Sequence, residues 1–180
     1  MASFSRVAVP CAIALGSNLG NSRDILQQAL TTLHHPPDLA LVAQSSLYQT
    51  LAVGPPQPDI LNACTLITTT LTASALMHRL LAVEQRFGRV RRERWGPRTL
   101  DLDLIFYGQL IHTEPDLQIP HPRLRERAFV LIPLAEIAPD WVDPVTGRSV
   151  QDLCTALDPA GVTLLGKLSQ PQVPPAGSQR

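Results

Sequence analysis

Two aspartates separated by one leucine stand near the middle of the 180-residue chain, in the run Leu100-Asp101-Leu102-Asp103-Leu104. Side chains alternate between the two faces of a β-strand, so both carboxylates are expected on one face and the leucines in the core. Two like charges about 6 Å apart repel by roughly 2 to 3 kcal/mol at an effective dielectric constant near 20. A cation is therefore expected beside them, and oxygen ligands favour Mg²⁺ or Mn²⁺ with substrate phosphates completing the shell.

Six arginines and a single acid, Glu93, occupy the stretch that leads to these aspartates. The arginines are Arg86, Arg89, Arg91, Arg92, Arg94 and Arg98. A guanidinium group is a planar fork that binds phosphate through two hydrogen bonds, so this bias suits polyphosphate binding. The aspartate pair alone fits a solvated strand face neutralised by Arg94 or Arg98, but the Trp95-Gly96-Pro97 turn between those arginines favours phosphate chemistry.

The composition indicates one folded domain without a surface for nucleic acid or membrane. With 44% hydrophobic residues the chain can build one well-packed core, and we assign residues 1–168 to a single domain. Residues 169–180 are mainly Pro, Gln, Gly and Ser and are expected to be a disordered tail. A formal net charge of zero and 4% aromatic residues argue against binding to nucleic acid or anionic lipid.

The cysteines and the apolar segments predict a cytoplasmic protein. Cys11, Cys64 and Cys154 are odd in number and form no C-x-x-C pair, so neither a disulfide framework nor a zinc site is indicated. We interpret them as small buried residues of a reducing compartment. Pro10 interrupts the apolar start of the chain, which argues against a signal peptide, and no apolar stretch approaches the roughly 20 residues of a membrane span.

The elements predicted around these residues are short strands and amphipathic helices. Strands are expected at residues 12–15, 39–48, 61–71 and 100–107. Helices are expected from a cap at Ser22 to Pro36-Pro37, from a cap at Thr72 or Ser74 to Gly88, and at residues 128–137 and 149–157. Gly108-Gln109 suggests a hairpin into Leu110 and Ile111, and the Pro-rich segment 53–59 is a candidate substrate loop. The order strand, helix, strand, strand, helix, strand is that of a ferredoxin-like α+β fold.

The segment from Arg94 to Ile105 resembles the signature of the 6-hydroxymethyl-7,8-dihydropterin pyrophosphokinase family of folate biosynthesis. The resemblance extends from about Ala12 to Trp141. Further matching segments, in the family's order and at nearly its spacing, are Gly16-Ser17-Asn18-Leu19-Gly20, Tyr48-Gln49-Thr50, Leu61-Asn62-Ala63, Glu84, Gly88-Arg89-Val90-Arg91, Pro120-His121 and Arg127-Ala128-Phe129. The resemblance implies an antiparallel sheet with packed helices and C-terminal additions. It also implies transfer of the β,γ-pyrophosphoryl group of ATP to the pterin hydroxymethyl oxygen, with release of AMP.

The resemblance assigns the phosphate side of the site. It implies that Asp101 and Asp103 hold two Mg²⁺ ions and that Arg89 and Arg98 act on the phosphates as catalytic residues. The other implied ATP-binding residues are Glu84, Arg91, Trp95, His121 and Arg127. Glu84 could equally be a solvated carboxylate of its helix, and Arg91 part of a solvated loop.

The resemblance also assigns a pterin pocket. A flat aromatic ring edged with donors and acceptors needs a stacking face and a few polar partners. Phe129 and Trp95 are implied as the faces and Asn62 as the amide contact; Thr50 and the backbone at Val53 and Gly54 complete the edge contacts. For Phe129, core packing is the competing interpretation.

The chain departs from the family pattern at three places. These departures leave open the length of the loop that would close over the substrates and the affinity for the substrates. Ile60 and Pro122 stand where some relatives carry tyrosine, and the arginine loop is one residue shorter than in some members.

Two other functions are compatible with the residues. An RNA-binding module would use the arginines and Trp95, but Asp101 and Asp103 would repel a nucleic-acid backbone. A non-catalytic nucleotide-binding regulator differs from the enzyme only in a turnover assay.

Overall fold

An antiparallel sheet of six strands forms the centre of the protein in the computed structural model, which describes residues 7–52, 54–89 and 96–170. The strands in chain order are β1 Val9–Ser17, β2 Leu39–Gln44, β3 Ser46–Thr50, β4 Ile60–Thr69, β5 Asp101–Tyr107, β6 His112–Glu114, β7 Leu117–Ile119 and β8 Val162–Lys167. Along the sheet the order is β5-β1-β4-β3-β8, β2 pairs β4, and β6 and β7 form a separate hairpin.

Helices cover both faces of this sheet. The helices of the described residues are α1 Ser22–Leu33, α2 Ala73–Arg86, α3 Ala128–Ile137 and α4 Val150–Thr155, with a short 3-10 turn at Leu124–Glu126. This architecture confirms the predicted α+β fold with a ferredoxin-like antiparallel sheet, and α4 and β8 are its C-terminal additions. No helix among the described residues has the length and apolar character needed to cross a membrane.

Two apolar cores, one on each face, hold the sheet in place. On one face, Leu30 of α1 and Leu80 of α2 pack with Ile13 of β1. On the other face, Leu134 of α3 packs with Phe106 of β5. Burying each such side chain contributes about 1.5 to 3 kcal/mol. The strand β5, which carries the aspartate pair, is therefore fixed by packing on both of its faces.

The helix ends follow capping chemistry closely. Thr72 caps α2 by accepting a hydrogen bond from the Ala75 amide at 3.2 Å, as one of the two predicted alternatives had it. Gly88 follows α2 with a φ of +73°, a conformation that suits glycine best. The predicted cap of α1 is wrong by one residue, because Asn21 rather than Ser22 accepts from the Asp24 amide.

The strand predictions were less accurate than those of the helices. The predicted strand 39–48 is two strands separated at Ser45, whose hydroxyl accepts from the Cys64 amide at 2.9 Å. The hairpin predicted after β5 is correct in its turn, where the Leu110 amide donates to the Tyr107 carbonyl at 3.0 Å, and wrong in its pairing, because the next strand, β6, pairs with β7. The edge strand β8 was not predicted.

The chain remains attached to the domain just beyond the predicted boundary at residue 168. The carbonyl of Ser169 accepts hydrogen bonds from Gln27 at 2.8 Å and from Gln44 at 2.9 Å. Most of the predicted tail, residues 171–180, lies outside the described residues. Cys11 and Cys64 are buried as expected, and burial raises the pKa of the Cys11 thiol to about 12; Cys154 is only partly buried.

Candidate functional site

Strand β5 presents the two aspartates on one face. Leu102 and Leu104 are almost completely buried on the opposite face, whereas the side chains of Asp101 and Asp103 are 19% and 31% exposed. This is the alternation expected of a strand at the border of a cleft. The carboxylates are thus neighbours that can act together on one bound group.

Asp101 lies between two arginines. Its Oδ1 is 2.6 Å from Nη1 of Arg89, and its Oδ2 pairs with Nη1 of Arg98. The backbone of Arg98 is held in turn by Asn18. The side-chain Oδ1 of Asn18 accepts from the Arg98 backbone amide at 2.9 Å, and the backbone amide of Asn18 donates to the Arg98 carbonyl at 3.0 Å. Both arginines therefore reach the same carboxylate from well-anchored positions.

Asp103 has a third arginine and a histidine as neighbours. Its Oδ2 is 3.2 Å from Nη1 of Arg127 and 3.8 Å from Nε2 of His121. Burial and the nearby Asp101 carboxylate raise the pKa of Asp103. Burial lowers the pKa of His121, and because its Nδ1 accepts from the Arg123 amide at 3.1 Å, a neutral ring carries its proton on Nε2, the atom that faces Asp103.

Glu84 is buried beneath this group rather than solvated. The residue is 2% exposed, its Oε1 accepts from the Leu102 amide at 2.7 Å, and the same oxygen pairs with Nη1 of Arg89. Burial raises the pKa of this carboxyl, and the Leu102 hydrogen bond and Arg89 offset part of the effect. The solvated alternative is therefore wrong. Leu80 four residues earlier marks the same, buried face of α2, a signal present in the sequence.

A pair of uncharged polar side chains, Asn62 of β4 and Thr50 of β3, lies on the far side of β1 from the aspartates of β5. Nδ2 of Asn62 donates to Oγ1 of Thr50 at 2.7 Å, and both side chains are buried. Gly16 of β1 pairs with Asn62 on one side and with Asp101 on the other. Two strand spacings put these residues about 10 Å apart. A methyl group on Gly16 would lie 3.4 Å from Oδ1 of Asn62, so the absence of a side chain leaves the floor between the two groups open.

Phe129 and the Pro-rich loop border this region. Phe129 packs against the core on the α3 side, and the Arg127 guanidinium lies 5.6 Å from its ring centroid. Gly54 is exposed at the start of the loop with a φ of +115°. Nδ2 of Asn18 donates to Oε1 of Gln57 and to the Pro58 carbonyl, both at 2.9 Å. Asn18 thus ties this loop to Arg98.

Three residues of the predicted site, Val53, Arg91 and Trp95, lie outside the described residues. Their assignments rest on the sequence resemblance alone. The described members fall into two groups: the first contains Arg89, Arg98, Asp101, Asp103, His121 and Arg127, with Glu84 of α2 behind them, and the second contains Thr50, Gly54, Asn62 and Phe129.

A pocket of about 210 Å³ opens beside Asp103 and His121. Its remaining walls are Met77, Leu104, Pro115, Asp116, Leu117, Gln118 and Pro122. Sequence reasoning missed this pocket because the β6–β7 hairpin, which supplies one wall, was not predicted. The walls combine polar and apolar surface in about equal parts, and such a pocket beside a charged group suits a flat ring that carries phosphates.

The donors available to a metal are carboxylate oxygens. Within residues 7–52, 54–89 and 96–170, no three His, Cys, Asp or Glu side chains gather into a metal-binding cluster. A cation at Asp101 and Asp103 would therefore need further ligands from substrate or water, as is common for Mg²⁺.

Comparisons with known proteins agree on one family. A sequence model of 7,8-dihydro-6-hydroxymethylpterin-pyrophosphokinase (HPPK) matches residues 12–139. The chain is 48% identical over 168 residues to the 2-amino-4-hydroxy-6-hydroxymethyldihydropteridine pyrophosphokinase of Synechocystis sp., with 89% of this chain and 86% of the relative covered. The Methylorubrum extorquens protein of the same name is 42% identical over 151 residues, covering 83% and 94%.

Solved structures agree in fold. The wild-type HPPK-DHPS of Plasmodium falciparum aligns with a TM-score of 0.66 at 13% identity and covers 85% of this chain. The alignment spans 45% of that longer chain. At this identity the likeness concerns the fold, and it agrees with the order of helices and strands described above.

Proposed function

The chain belongs to the 7,8-dihydro-6-hydroxymethylpterin pyrophosphokinase family, and we propose that the carboxylates of β5 and the arginines around them perform the family's reaction with Mg²⁺. The reaction transfers the pyrophosphoryl group of ATP to hydroxymethyldihydropterin in folate biosynthesis. The family match at residues 12–139 includes every member of both groups described above. We also propose that the protein acts in the cytoplasm.

The observation that carries the proposal is the pairing of two carboxylates with three arginines on one sheet face. Arg89 and Arg98 contact Asp101, and Arg127 contacts Asp103. A bound triphosphate offers the guanidinium groups stronger partners, because charge-assisted hydrogen bonds to phosphate can be bidentate. The carboxylates are then free to bind a cation, so this set of charges is suited to polyphosphate and metal together.

The donor set fits Mg²⁺. Asp101 and Asp103 supply oxygen only, and two carboxylates completed by phosphate oxygens are a common Mg²⁺ site. We propose two ions, held between this pair and ATP; when bound, such ions neutralise phosphate charge and stabilise the attacking and leaving oxygens. The part of the chain is to position the reactants, so a protein nucleophile is unnecessary.

Each substrate has a proposed place. The pocket beside Asp103 is proposed for the nucleoside of ATP, with His121 and Arg127 directed at its phosphates. The other proposed ATP-binding residues are Arg89, Arg91, Trp95 and Arg98. The pterin is proposed at the second group: Asn62 and Thr50 contact its edge, the backbone at Val53 and Gly54 contributes further contacts, and Phe129 and Trp95 stack on its faces. The open floor at Gly16 lies between the two places.

Product analysis tests this function. Purified protein with Mg²⁺, ATP and 6-hydroxymethyl-7,8-dihydropterin is expected to form AMP and the pterin diphosphate in equal amounts, read by phosphorus NMR or nucleotide chromatography. Chelation of Mg²⁺ is expected to stop both. ADP as the main product would indicate a γ-phosphoryl kinase, and AMP without modified pterin would indicate a hydrolase. Unchanged ATP with several metals would favour a non-catalytic nucleotide-binding protein.

A further inference from the structure

Glu84 is a buried carboxylate that serves two parts of the site at once. Its side chain is 3% exposed, which leaves almost no surface for a substrate to touch. A buried charge is retained only with good partners. Here the partners are the Leu102 amide and the Arg89 guanidinium, and both belong to the phosphate side of the site.

The contact with Leu102 fixes the aspartate pair. Among the strands that the structure describes, β5 is at the edge of the sheet and pairs with β1. The Leu102 amide, between Asp101 and Asp103, donates to Oε1 of Glu84 at 2.7 Å. The carboxylate therefore takes the place of a neighbouring strand at the one position that separates the two metal-binding candidates.

The contacts with Arg89 fix its side chain and its backbone. Nη1 of Arg89 contacts the carboxylates of both Glu84 and Asp101, and the Arg89 amide donates to the Glu84 carbonyl at 3.1 Å. The Arg89 side chain is 13% exposed, so it needs a lasting counter-charge. Glu84 supplies that charge when Asp101 is engaged by a cation.

We propose that Glu84 is a positioning residue: it does not contact ATP, but aims Arg89 and leaves Asp101 available to bind the metal. The proposal rests on the function proposed above. If Glu84 is made neutral, Asp101 becomes the nearest counter-charge of Arg89, and a cation must compete with the guanidinium for it. The expected result is a poorer nucleotide complex and a higher Mg²⁺ requirement.

A double-mutant cycle in the full chain tests this. Glu84→Gln keeps an acceptor for the Leu102 amide but removes the charge beside Arg89. In the wild-type background we expect kcat/KM for ATP to fall by roughly 10- to 100-fold; in the Arg89→Gln background the same change should cost less than about threefold, since residues that act as a unit are not additive. Equal losses in both backgrounds would show that Glu84 does not act through Arg89, and an unchanged Glu84→Gln variant would also overturn the proposal.

Asp143→Asn is the matched control. Asp143 is completely buried and accepts from Arg125, from Thr146 and from the Val145 amide, outside the proposed site. This variant should unfold more easily and keep its kcat/KM within about twofold, because it loses a similar hydrogen-bonded charge elsewhere. A loss as large as that of Glu84→Gln would point to a purely structural effect and contradict the proposal.

A readout independent of turnover separates this proposal from the proposed function. Calorimetric titration with a non-hydrolysable ATP analogue and Mn²⁺ should show about tenfold weaker binding to Glu84→Gln, and the loss should vanish in the Arg89→Gln background. If binding shows this coupling but the wild type forms no AMP, the proposed function is wrong and the positioning role of Glu84 still stands. If Glu84→Gln does not fold, Glu84→Asp, which keeps the charge one methylene further back, replaces it in the same cycle. Additive binding losses would remove the positioning role.

Discussion

Asp103 is a site residue whose surroundings disfavour a bare charge. Burial and the Asp101 carboxylate both raise its pKa, and Arg127 and His121 offset the effect only in part. The ionised form of such a carboxyl is stabilised by a bound cation, because the charge of the cation compensates for the repulsion by Asp101 and for the lost hydration. The strain of the pair is the physical reason to place Mg²⁺ here.

Asp103→Asn is therefore expected to lower turnover by about 100-fold or more while the fold is kept. The amide oxygen can still accept from Arg127, but a neutral ligand does not balance the metal charge. Steady-state AMP formation measures the loss, and circular dichroism checks the fold. Asp140→Asn, the same change at an exposed carboxylate outside the site, should keep normal turnover. A folded Asp103→Asn variant with near-normal turnover would end the two-metal proposal.

Sequence reasoning reached those residues whose role follows from local spacing. The shared face of Asp101 and Asp103 follows from the two-residue period of a strand. The approach of Arg127 to Asp103 does not, since these residues are far apart in the chain and meet only because α3 begins beside β5. The same holds for Glu84, whose partners are set by the packing of α2 against β5.

At the scale of elements, the loop between β1 and α1 joins two other loops through one side chain. Asn18 holds the backbone of Arg98 and, through Gln57 and Pro58, the Pro-rich loop before β4. It is 4% exposed, so its hydrogen bonds are made away from water. The two proposed substrate regions are thus linked by a single buried amide.

Asn18→Ala should loosen both regions. We expect a loss of about 1 to 3 kcal/mol in the free energy of unfolding, because buried backbone groups lose their partner, together with higher KM values for ATP and for pterin. Denaturant unfolding and steady-state kinetics measure the two effects. Asn21→Ala is the control, since it removes the cap of α1, worth about 1 kcal/mol, and an exposed hydrogen bond to the Asp24 carboxylate, and should leave both KM values unchanged. If the two variants behave alike, Asn18 does not link the substrate regions.

Helices were more predictable than strands because the signals that mark a helix are local in the sequence. Helix α3 was predicted at its observed bounds, and α2 began at one of two proposed caps, because period and capping are local signals. The strand β8 lies at the sheet edge with Leu164 60% exposed, so its burial pattern carries little signal. The hairpin after β5 was wrong in its pairing because the turn signal at Gly108-Gln109 does not determine which strand the following segment joins: β6 pairs with β7.

At the scale of the whole molecule, Asp143 and Glu84 are expected to make the stability of the fold depend on pH in opposite directions. Asp143 lies outside the site and is completely buried, yet it accepts from Arg125 at 2.7 and 2.9 Å, from Thr146 at 2.8 Å and from the Val145 amide at 3.1 Å. Burial alone would raise its pKa, but these donors together lower it below the ordinary value. Asp143 therefore stabilises the folded chain in its ionised form.

Asp143→Asn should accordingly be destabilising at neutral pH, by about 1 to 3 kcal/mol. A carboxyl whose pKa is lowered by folding contributes stability above its ordinary pKa of 3.8 and loses it as the pH falls through the folded value. The difference between wild type and variant should hence shrink on acidification below about pH 4. Urea unfolding at several pH values measures it. A difference that is constant with pH would contradict the proposed role of the ionised group.

Glu84 should show the reverse dependence, because folding raises its pKa above the ordinary value of 4.5. Such a group contributes stability below its unfolded pKa, and this contribution is lost as the pH rises through the folded pKa. The unfolding free energy of wild type minus that of Glu84→Gln should therefore decrease as the pH rises above the ordinary pKa of 4.5, whereas the same difference for Asp143→Asn should increase as the pH rises toward the ordinary pKa of 3.8. Urea unfolding of the three proteins in one buffer series gives both slopes. A Glu84 difference that grows with pH would mean that Arg89 and the Leu102 amide outweigh burial. The expected slope would mean that the ionised form of Glu84, which positions Arg89, forms at the expense of the stability of the fold.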